Sequence, residues 1–227
     1  GVVALSKADL ADADMIELAS EEVRELIEGT GLEGAEIVPL SVRSGEGLER
    51  LREALRKLAA EAVPRTPRAG PARLPIDRVF GMRGFGTVVT GTLVGAKLAT
   101  GAAIEVQPSG RRARIRGLQS HGEETAEITP GSRCAVNLQG LEVADLRRGD
   151  VLCEPDSLAP TTSADLRLVW LATAPACEGP VSVELLVGTA ERRATLAAIG
   201  DSGFLPGGRH FARVHIEGDP LPLLPGD

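Results

Sequence analysis

The sequence predicts a mixed fold, in which part of an α/β domain is followed by two small antiparallel β-barrels. Two observations carry this prediction. Strand-like and helix-like apolar patterns alternate up to residue 63, whereas only short apolar alternations, broken by Gly and Pro, recur after residue 71. The 227 residues also include 27 Gly and 15 Pro, a content typical of many turns and therefore of β structure.

Residues 1–63 are predicted to be the C-terminal part of the α/β domain. Apolar runs at residues 2–5 and 36–40 have the character of buried strands, and an amphipathic helical pattern follows each of them. The apolar faces of these helices include Leu26 and Leu55. Because two strands cannot bury both faces of a parallel sheet, we expect further strands of this domain ahead of the chain.

Residues 64–71 contain three prolines and no periodicity, which predicts a linker. The strand patterns that follow divide at a second proline-containing break, at Pro155 and Pro160. We therefore expect one β-barrel at residues 72–157 and a second, truncated barrel at residues 158–227.

The composition excludes several kinds of site. Aromatic residues make up 2% of the chain, too few for a platform of stacked bases or an aromatic cage. Cys134, Cys153 and Cys177 are widely spaced and form no C-x-x-C, so we expect reduced thiols in the cytoplasm and no zinc site. No apolar run approaches the roughly 18 residues that a membrane-spanning helix needs.

The net charge of −7 hides a basic segment. Residues 64–118 carry a net charge of +8, whereas the segments before and after it are acidic. Such a run is either a solvated face or a surface that meets a polyanion, and composition alone leaves both open.

Two short motifs in the α/β part resemble the guanine-recognising motifs of P-loop GTPases. Ser6-Lys7-Ala8-Asp9 follows the first strand, where these enzymes have N/T-K-x-D, and Ser41-Val42 follows the second, where they have Ser-Ala. The resemblance implies that Asp9 accepts hydrogen bonds from guanine, that Lys7 covers the base and that Ser6 braces the loop. It also implies that the Ser41-Val42 backbone contacts guanine O6. The alternative for Asp9 is a helix N-cap.

The phosphate-binding half of such a domain is missing from the chain. The sequence contains no G-x-x-x-x-G-K-S/T, and the glycines at residues 81–86 precede a strand rather than a helix, which favours a hairpin turn. We therefore expect GTP or GDP with Mg²⁺ in the full-length protein only. Hydrolysis of GTP by residues 1–227 alone is not expected.

The β part resembles the translation-factor barrel that lies beside the GTPase domain in elongation factor Tu. The resemblance rests on residues 84–91, which match G-x-G-T-V-x-T-G, and on residues 147–152. Further residues resemble the selenocysteine-specific elongation factors: the pair Asp77-Arg78, the stretch 114–122, and Arg133 within residues 131–138.

That resemblance implies GTP-dependent delivery of selenocysteinyl-tRNA to the ribosome, with the messenger RNA hairpin bound by C-terminal domains outside this chain. It implies an aminoacyl pocket of Asp77, Arg78 and Arg133, in which arginine favours the anionic selenolate over neutral serine. Asp77 would accept from the α-amino group or brace an arginine. The two arginines could instead bind only phosphate or solvent. Further candidates for contacts with the tRNA backbone are Arg73, Arg83, Arg111 and Arg112.

Two other assignments stay open at this point. Another aminoacyl-tRNA carrier, of the elongation factor Tu or initiation factor 2 kind, would share both barrels. A non-enzymatic β-barrel adaptor with a GTPase remnant would also carry these patterns, and it would lack an upstream phosphate-binding loop in the complete gene.

Overall fold

A computed structural model describes residues 1–62, 70–84 and 86–227. The protein divides into two compact units, Gly1–Thr66 and Pro67–Asp227. Apart from its last two residues, the predicted linker at 64–71 lies outside the described residues, and so does Phe85. The domain limits inferred from the sequence stay predictions. No helix in the described part of the chain is long and apolar enough to cross a membrane.

The first unit has the predicted α/β character. Strands β1 (Val2–Leu5) and β2 (Glu36–Pro39) pair in parallel, and they alternate with helices α1 (Ala13–Ile27) and α2 (Leu48–Glu61). A short 3-10 turn, Ala8–Leu10, follows β1. The parallel pair brings the carboxyl ends of both strands to one edge of the sheet, which is where α/β folds place their ligands.

The helices of this unit differ from the sequence expectation in two details. Asp12 caps α1, because its Oδ1 accepts a hydrogen bond from the backbone N–H of Met15 at 2.9 Å, so helix capping does not explain Asp9. Leu26 and Leu55, expected on buried faces, are exposed. A sheet of two strands offers too little surface to cover the apolar faces of both helices.

In the described part of the second unit, six strands close into a barrel, as predicted. The strands of this segment are β3 (Arg73–Met82), β4 (Gly86–Thr92), β5 (Leu98–Ala99), β6 (Ala103–Gln107), β7 (Arg111–Ser120), β8 (Glu123–Thr125), β9 (Glu127–Ile128), β10 (Arg133–Gln139) and β11 (Val151–Cys153). The ring runs β10–β4–β3–β11–β6–β7, and β7 pairs with β10 to close it. Alternate side chains such as Leu74, Ile76, Val89, Ile104 and Val136 fill the interior without solvent exposure.

The remaining segment builds a second β layer with its own core. Its strands are β12 (Ser163–Val169), β13 (Cys177–Glu178), β14 (Val181–Val187), β15 (Ala190–Ala198), β16 (Gly203–Phe204) and β17 (Arg209–Ile216). Four of them form an antiparallel sheet in the order β12–β17–β15–β14, and β13 pairs with β16. Phe204 is fully buried and stacks on Trp170, with ring centroids 4.8 Å apart.

Polar contacts join the barrel to this second layer within the unit. The hydroxyl of Thr189 donates to the carbonyl of Ile76 at 2.7 Å. Arg147 bridges Asp150 of the barrel segment and Asp219 near the end of the chain. These contacts fix the second layer against the strand that carries Asp77, one of the candidate site residues.

Candidate functional site

The two loops predicted to recognise guanine lie side by side in the first unit. The backbone N–H of Ala8 donates to the carbonyl of Leu40 at 3.0 Å, which ties the loop after β1 to the loop after β2. Lys7 has a left-handed backbone with φ of 64°, so the chain turns sharply at the end of the strand. Within the described residues, the side chains of Lys7 and Asp9 form no hydrogen bond or ion pair, and both are exposed together with Ser6.

The second loop is built around Ser41. This serine is fully buried, and its Oγ accepts hydrogen bonds from the backbone N–H groups of Arg43 and Ser44, each at 3.2 Å. Val42 lies at the surface of the loop with 78% of its area exposed. A valine in place of alanine therefore displaces no packed neighbour, and the backbone of the loop keeps the course that Ser41 sets.

The chemistry of these loops suits one end of a nucleotide. An exposed carboxylate at Asp9 can accept two hydrogen bonds from a base edge, as guanine offers. The predicted hairpin at residues 81–86 is present, because Met82 pairs with Gly86 across the turn. The glycines there serve a β-turn and precede strand β4, so in the described residues they form no phosphate cradle at a helix start.

A β-bulge displays Asp77 on the outer face of the barrel. Strand β3 pairs with β4 through Ile76 opposite Gly91 and Arg78 opposite Thr90, which leaves Asp77 as the extra residue. Bulges re-aim side chains and are common beside functional sites. The carboxylate of Asp77 accepts a short hydrogen bond from the hydroxyl of Thr90.

Arg133, at the start of β10, forms a bidentate ion pair with the same carboxylate. Its Nε donates to Asp77 Oδ2 and its Nη2 to Oδ1, each at 3.1 Å, in the bidentate geometry that favours arginine over lysine. Partial burial pushes the pKa of Asp77 upward, but the hydrogen bonds from Thr90 and Arg133 outweigh it and lower that pKa below its usual range. The nearby charge of Arg78 acts in the same direction.

The two arginines of the predicted pocket therefore differ. Arg133 is held by Asp77 and has its Nη1 left over, whereas Arg78 is exposed and forms no hydrogen bond or ion pair within the described part of the chain. Of the two roles considered for Asp77, bracing an arginine is the one that its contacts support. Beneath the cluster, burial raises the pKa of the Cys134 thiol to about 11, so this cysteine stays protonated at neutral pH.

A cavity of about 550 Å³ opens on the same face of the barrel. Its volume lies within the range of roughly 300–1,000 Å³ that small-molecule sites occupy. Ala135 lines the cavity and pairs with Thr90, so the cavity begins one residue pair away from the Asp77–Arg133 cluster. The lining includes Phe80, Met82, Val88, Arg116, Gly117, Leu118, Gln119 and Asn137.

A second bulge shapes the floor of this cavity. Strand β7 pairs with β10 through Gly117 opposite Asn137 and Ile115 opposite Leu138, which leaves Arg116 as the extra residue. Arg116 is exposed and lies between this cavity and a neighbouring one of about 660 Å³, whose lining it shares. No ion pair of Arg116 occurs among the described residues. We name the outer surface formed by Phe80, Val88, Arg116, Ala135 and Asn137 the cavity face.

Three of the four further arginines proposed for the tRNA backbone are paired with carboxylates. Arg73 donates to both oxygens of Asp227, at 2.7 and 2.9 Å. Arg111 pairs with Asp145 at 2.6 Å. Arg112 pairs with Asp156, also at 2.6 Å, and lies 3.5 Å from Glu105. Only the fourth, Arg83 in the β3–β4 turn, has no ion pair within the described residues.

Sequence reasoning missed the residues that build the cavity. Asn137, Gly117 and Arg116 follow no motif of charged or nucleophilic residues, and their meeting depends on a bulge that no periodicity predicts. Arg116 and Gly117 belong to the stretch 114–122, and Asn137 belongs to residues 131–138. Both stretches resemble the selenocysteine branch, and that resemblance is the signal that could have pointed to these residues. The described residues contain no group of three or more His, Cys, Asp or Glu side chains that could hold a metal ion.

Comparison with known proteins shows that the chain is similar to translation elongation factors. The family model of elongation factor Tu domain 2 matches residues 86–153, which run from β4 to β11. The chain is 41% identical over 228 residues to the selenocysteine-specific elongation factor of Desulfomicrobium baculatum. That match covers 100% of this chain and 36% of the relative, so the chain spans about a third of that protein's length.

Solved structures have the same fold. A crystal structure of a bacterial selenocysteine-specific elongation factor matches 100% of this chain and 36% of its own, with a TM-score of 0.80 and 23% identity. The elongation factor SelB of Methanococcus maripaludis, in complex with the GTP analogue GppNHp, matches 97% of this chain and 52% of its own. Its TM-score is 0.79 and its identity 20%.

Proposed function

The chain belongs to the selenocysteine-specific branch of the elongation factor Tu-like translation factors, and from this premise we propose that the complete protein delivers selenocysteinyl-tRNA to the ribosome in a GTP-dependent cycle. In this proposal the barrel holds the aminoacyl end of the tRNA. The observation that carries it is the Asp77–Arg133 cluster, with the unpaired Arg78 beside it, at the edge of a nucleoside-sized cavity.

Charge selects the aminoacyl group. A selenol ionises more readily than an alcohol, so esterified selenocysteine is an anion at neutral pH and serine is neutral. Asp77 forms its ion pair with Arg133, whereas Arg78, on the same strand as Asp77, interacts with that carboxylate only at longer range and forms no ion pair within the described residues. Arg78 therefore supplies the preference for selenolate, and Arg133 offers a fixed donor, Nη1, to the same group.

The cavity takes the nucleoside to which the amino acid is esterified. The cluster and the cavity are linked through the pair Thr90 and Ala135, and paired strands lie about 5 Å apart, so one aminoacyl-nucleoside can contact both. Phe80 is 38% exposed and lines the cavity. A single ring suffices for one base, although the chain has too few aromatics for a stacking platform.

GTP with Mg²⁺ would be bound by the complete protein, and this chain would contribute the guanine end of the site. Asp9 would accept from the base, Lys7 would cover it, and the backbone of the Ser41–Val42 loop would meet its carbonyl oxygen. Contacts with the ribosome, and with the messenger RNA hairpin through segments outside this chain, complete the proposal and place its work in the cytoplasm.

The preference for selenocysteine is tested by ester hydrolysis. With full-length protein and GTP, we expect selenocysteinyl-tRNA to be protected from deacylation about 10- to 150-fold better than seryl-tRNA on the same tRNA, the range that one charge-assisted contact supports. Arg78→Ala is expected to remove most of that difference. Arg167→Ala, an exposed arginine on β12, is the matched control and should leave it intact.

Equal protection of the two esters by the wild-type protein would contradict the proposal. It would instead favour a general aminoacyl-tRNA carrier, which uses the same barrels without charge selection. Absence of protection of either ester, with no binding of GTP by the full-length protein, would favour an adaptor that carries only a remnant of a GTPase domain.

A further inference from the structure

We infer that Asn137 recognises the base of the terminal nucleoside, by pairing its side-chain amide with the edge of an adenine ring. The inference rests on the proposed function, because it takes the cavity beside the Asp77–Arg133 cluster as the nucleoside site. It adds a specificity-determining residue outside the pocket of Asp77, Arg78 and Arg133 that the sequence predicts.

The amide of Asn137 lacks a protein partner. Its Oδ1 is buried and accepts no hydrogen bond, one of three such side-chain atoms in the described residues; the other two belong to Arg192. A buried polar atom without a partner costs free energy, and native proteins rarely leave one. With no protein bond to hold it, the amide of Asn137 can rotate to face a ligand in the cavity that it lines.

The neighbours of Asn137 leave room for a flat ring. Val88 lies opposite it on β4, and Gly117 lies opposite it on β7. A Cβ built on Gly117 would meet no atom within 4 Å, so the space in front of that glycine is open. Phe80 and Leu118 line the same cavity. An apolar face for the ring and an amide for its edge are therefore present together.

Asparagine is chemically matched to adenine. Its carbonyl oxygen accepts from the exocyclic amino group while its NH₂ donates to the neighbouring ring nitrogen, the bidentate arrangement by which Asn reads adenine elsewhere. Guanine presents two acceptors at the corresponding edge and would leave the asparagine oxygen unpaired. Transfer RNAs end in adenosine, so the residue at the tRNA terminus is the one that this amide fits.

A double substitution, in the protein and in the tRNA, tests the pairing. Full-length protein with GTP is titrated with charged tRNA that ends either in adenosine or in purine riboside, which lacks the amino group. We expect the wild-type protein to bind the purine-ended tRNA about 10-fold more weakly. Asn137→Leu should bind the adenosine-ended tRNA about 10-fold more weakly, and should no longer distinguish the two ends.

Gln139→Leu is the matched control. Gln139 carries the same amide two residues along β10 and lines the neighbouring cavity but not this one, so this variant should keep the full preference for adenosine. A preference that survives Asn137→Leu overturns the inference. Equal wild-type affinity for the two ends also overturns it and leaves the proposed function standing. Failure of the wild-type protein to bind either charged tRNA overturns both. The wild-type comparison needs no variant, so it decides even if Asn137→Leu fails to fold.

Discussion

Two sides of one barrel use arginine in opposite ways. Arg116 on the cavity face, and Arg78 two residues before Phe80 on strand β3, form no ion pair in the described part of the chain. We name the side formed by Glu105, Gln107 and Arg112 the connector face. There the guanidinium of Arg112 pairs with the carboxylates of Glu105 and Asp156. The three arginines belong to one basic segment of the sequence, so a run of positive charge does not by itself mark a binding surface.

The connector face stabilises the fold by holding the segment that follows β11 against strand β6. Glu105 is buried and accepts hydrogen bonds from the Gln107 side chain and from the backbone N–H of Asp156, the latter at 3.3 Å. Gln107 also donates to the carbonyl of Leu158 at 3.3 Å. These contacts hold the segment that leaves the barrel against strand β6. Arg112, itself exposed, lies 3.5 Å from the buried carboxylate of Glu105, whereas Arg116 on the cavity face stays available to an anion.

Filling the cavity is expected to have the largest effect on binding. Because a Cβ on Gly117 meets nothing within 4 Å, Gly117→Leu should place its side chain in the cavity without disturbing the core. We expect it to weaken the binding of selenocysteinyl-tRNA and seryl-tRNA equally, by about 10-fold or more, the scale of one lost base contact. Affinity is measured by titration, and thermal unfolding should show an unchanged midpoint. Unchanged affinity for both would mean that the nucleoside binds elsewhere.

The connector face should respond in stability rather than in binding. Glu105→Ala removes the acceptor of the Asp156 backbone N–H and one of the two acceptors of the Gln107 side chain, so we expect a loss of about 1–3 kcal/mol in the free energy of unfolding. Glu127→Ala removes an exposed ion pair with Lys97 and is the matched control, with an expected loss of less than about 1 kcal/mol. Urea unfolding measures both. Similar losses in the two variants would show that the contacts of Glu105 stabilise the fold no more than an exposed ion pair does.

Two aspartates of the barrel segment should contribute to the stability of the fold with opposite pH dependences. The pKa of Asp77 is lowered, so its ionised form stabilises the fold above the usual 3.8, and this stabilisation is lost as pH falls through the lowered value. Burial raises the pKa of Asp150 despite its bonds from Arg147, so the stability linked to its protonated form is lost as pH rises past 3.8.

Unfolding measured between about pH 3 and about pH 6 separates the two. Relative to the wild type, Asp77→Asn should become less stable as pH rises, and Asp150→Asn should become relatively more stable. Parallel profiles for the two variants would contradict the assignment of opposite shifts.

The smallest effect concerns thiol reactivity. Burial raises the pKa of Cys134 and of Cys153 to about 11, so at neutral pH very little reactive thiolate is present at either site. Cys177 is only half-buried. A thiol-reactive dye should therefore label Cys177 first, which peptide mapping of the labelled protein can establish. Early labelling of Cys134 would indicate that strand β10 opens readily next to Arg133.

Much of the fold follows from local sequence, and much of the candidate site does not. Alternation and turn residues predicted the barrel strands, and strand–helix order predicted the parallel pair with its two adjacent loops; the structure confirms both. The pairing of Arg73 with Asp227, across 154 positions, depends on how the chain returns, so the sequence gives no local sign of it. The bulges at Asp77 and Arg116 likewise arise from strand register, which periodicity does not specify.

The aromatic residues also show that composition does not specify where an individual side chain lies. The scarcity of aromatic residues predicts that the chain has no extended stacking surface. One aromatic residue, Phe80, nevertheless lines the cavity, because its exposure depends on the tertiary fold and not on the composition. The guanine loop and the aminoacyl pocket stay predictions for experiment, with Asp77 in the role of a brace.

The contrast between the two faces is tested most directly by comparing Arg78→Ala with Arg112→Ala in full-length protein. Affinity for selenocysteinyl-tRNA and the midpoint of thermal unfolding are measured for both. Arg78→Ala should weaken binding by about 10-fold or more at an unchanged midpoint, because its cation has no structural partner. Arg112→Ala should lower the midpoint and leave binding intact, because it loses its contacts to Asp156 and Glu105. Equal losses of binding in the two variants would contradict the division of the barrel into a binding face and a connector face.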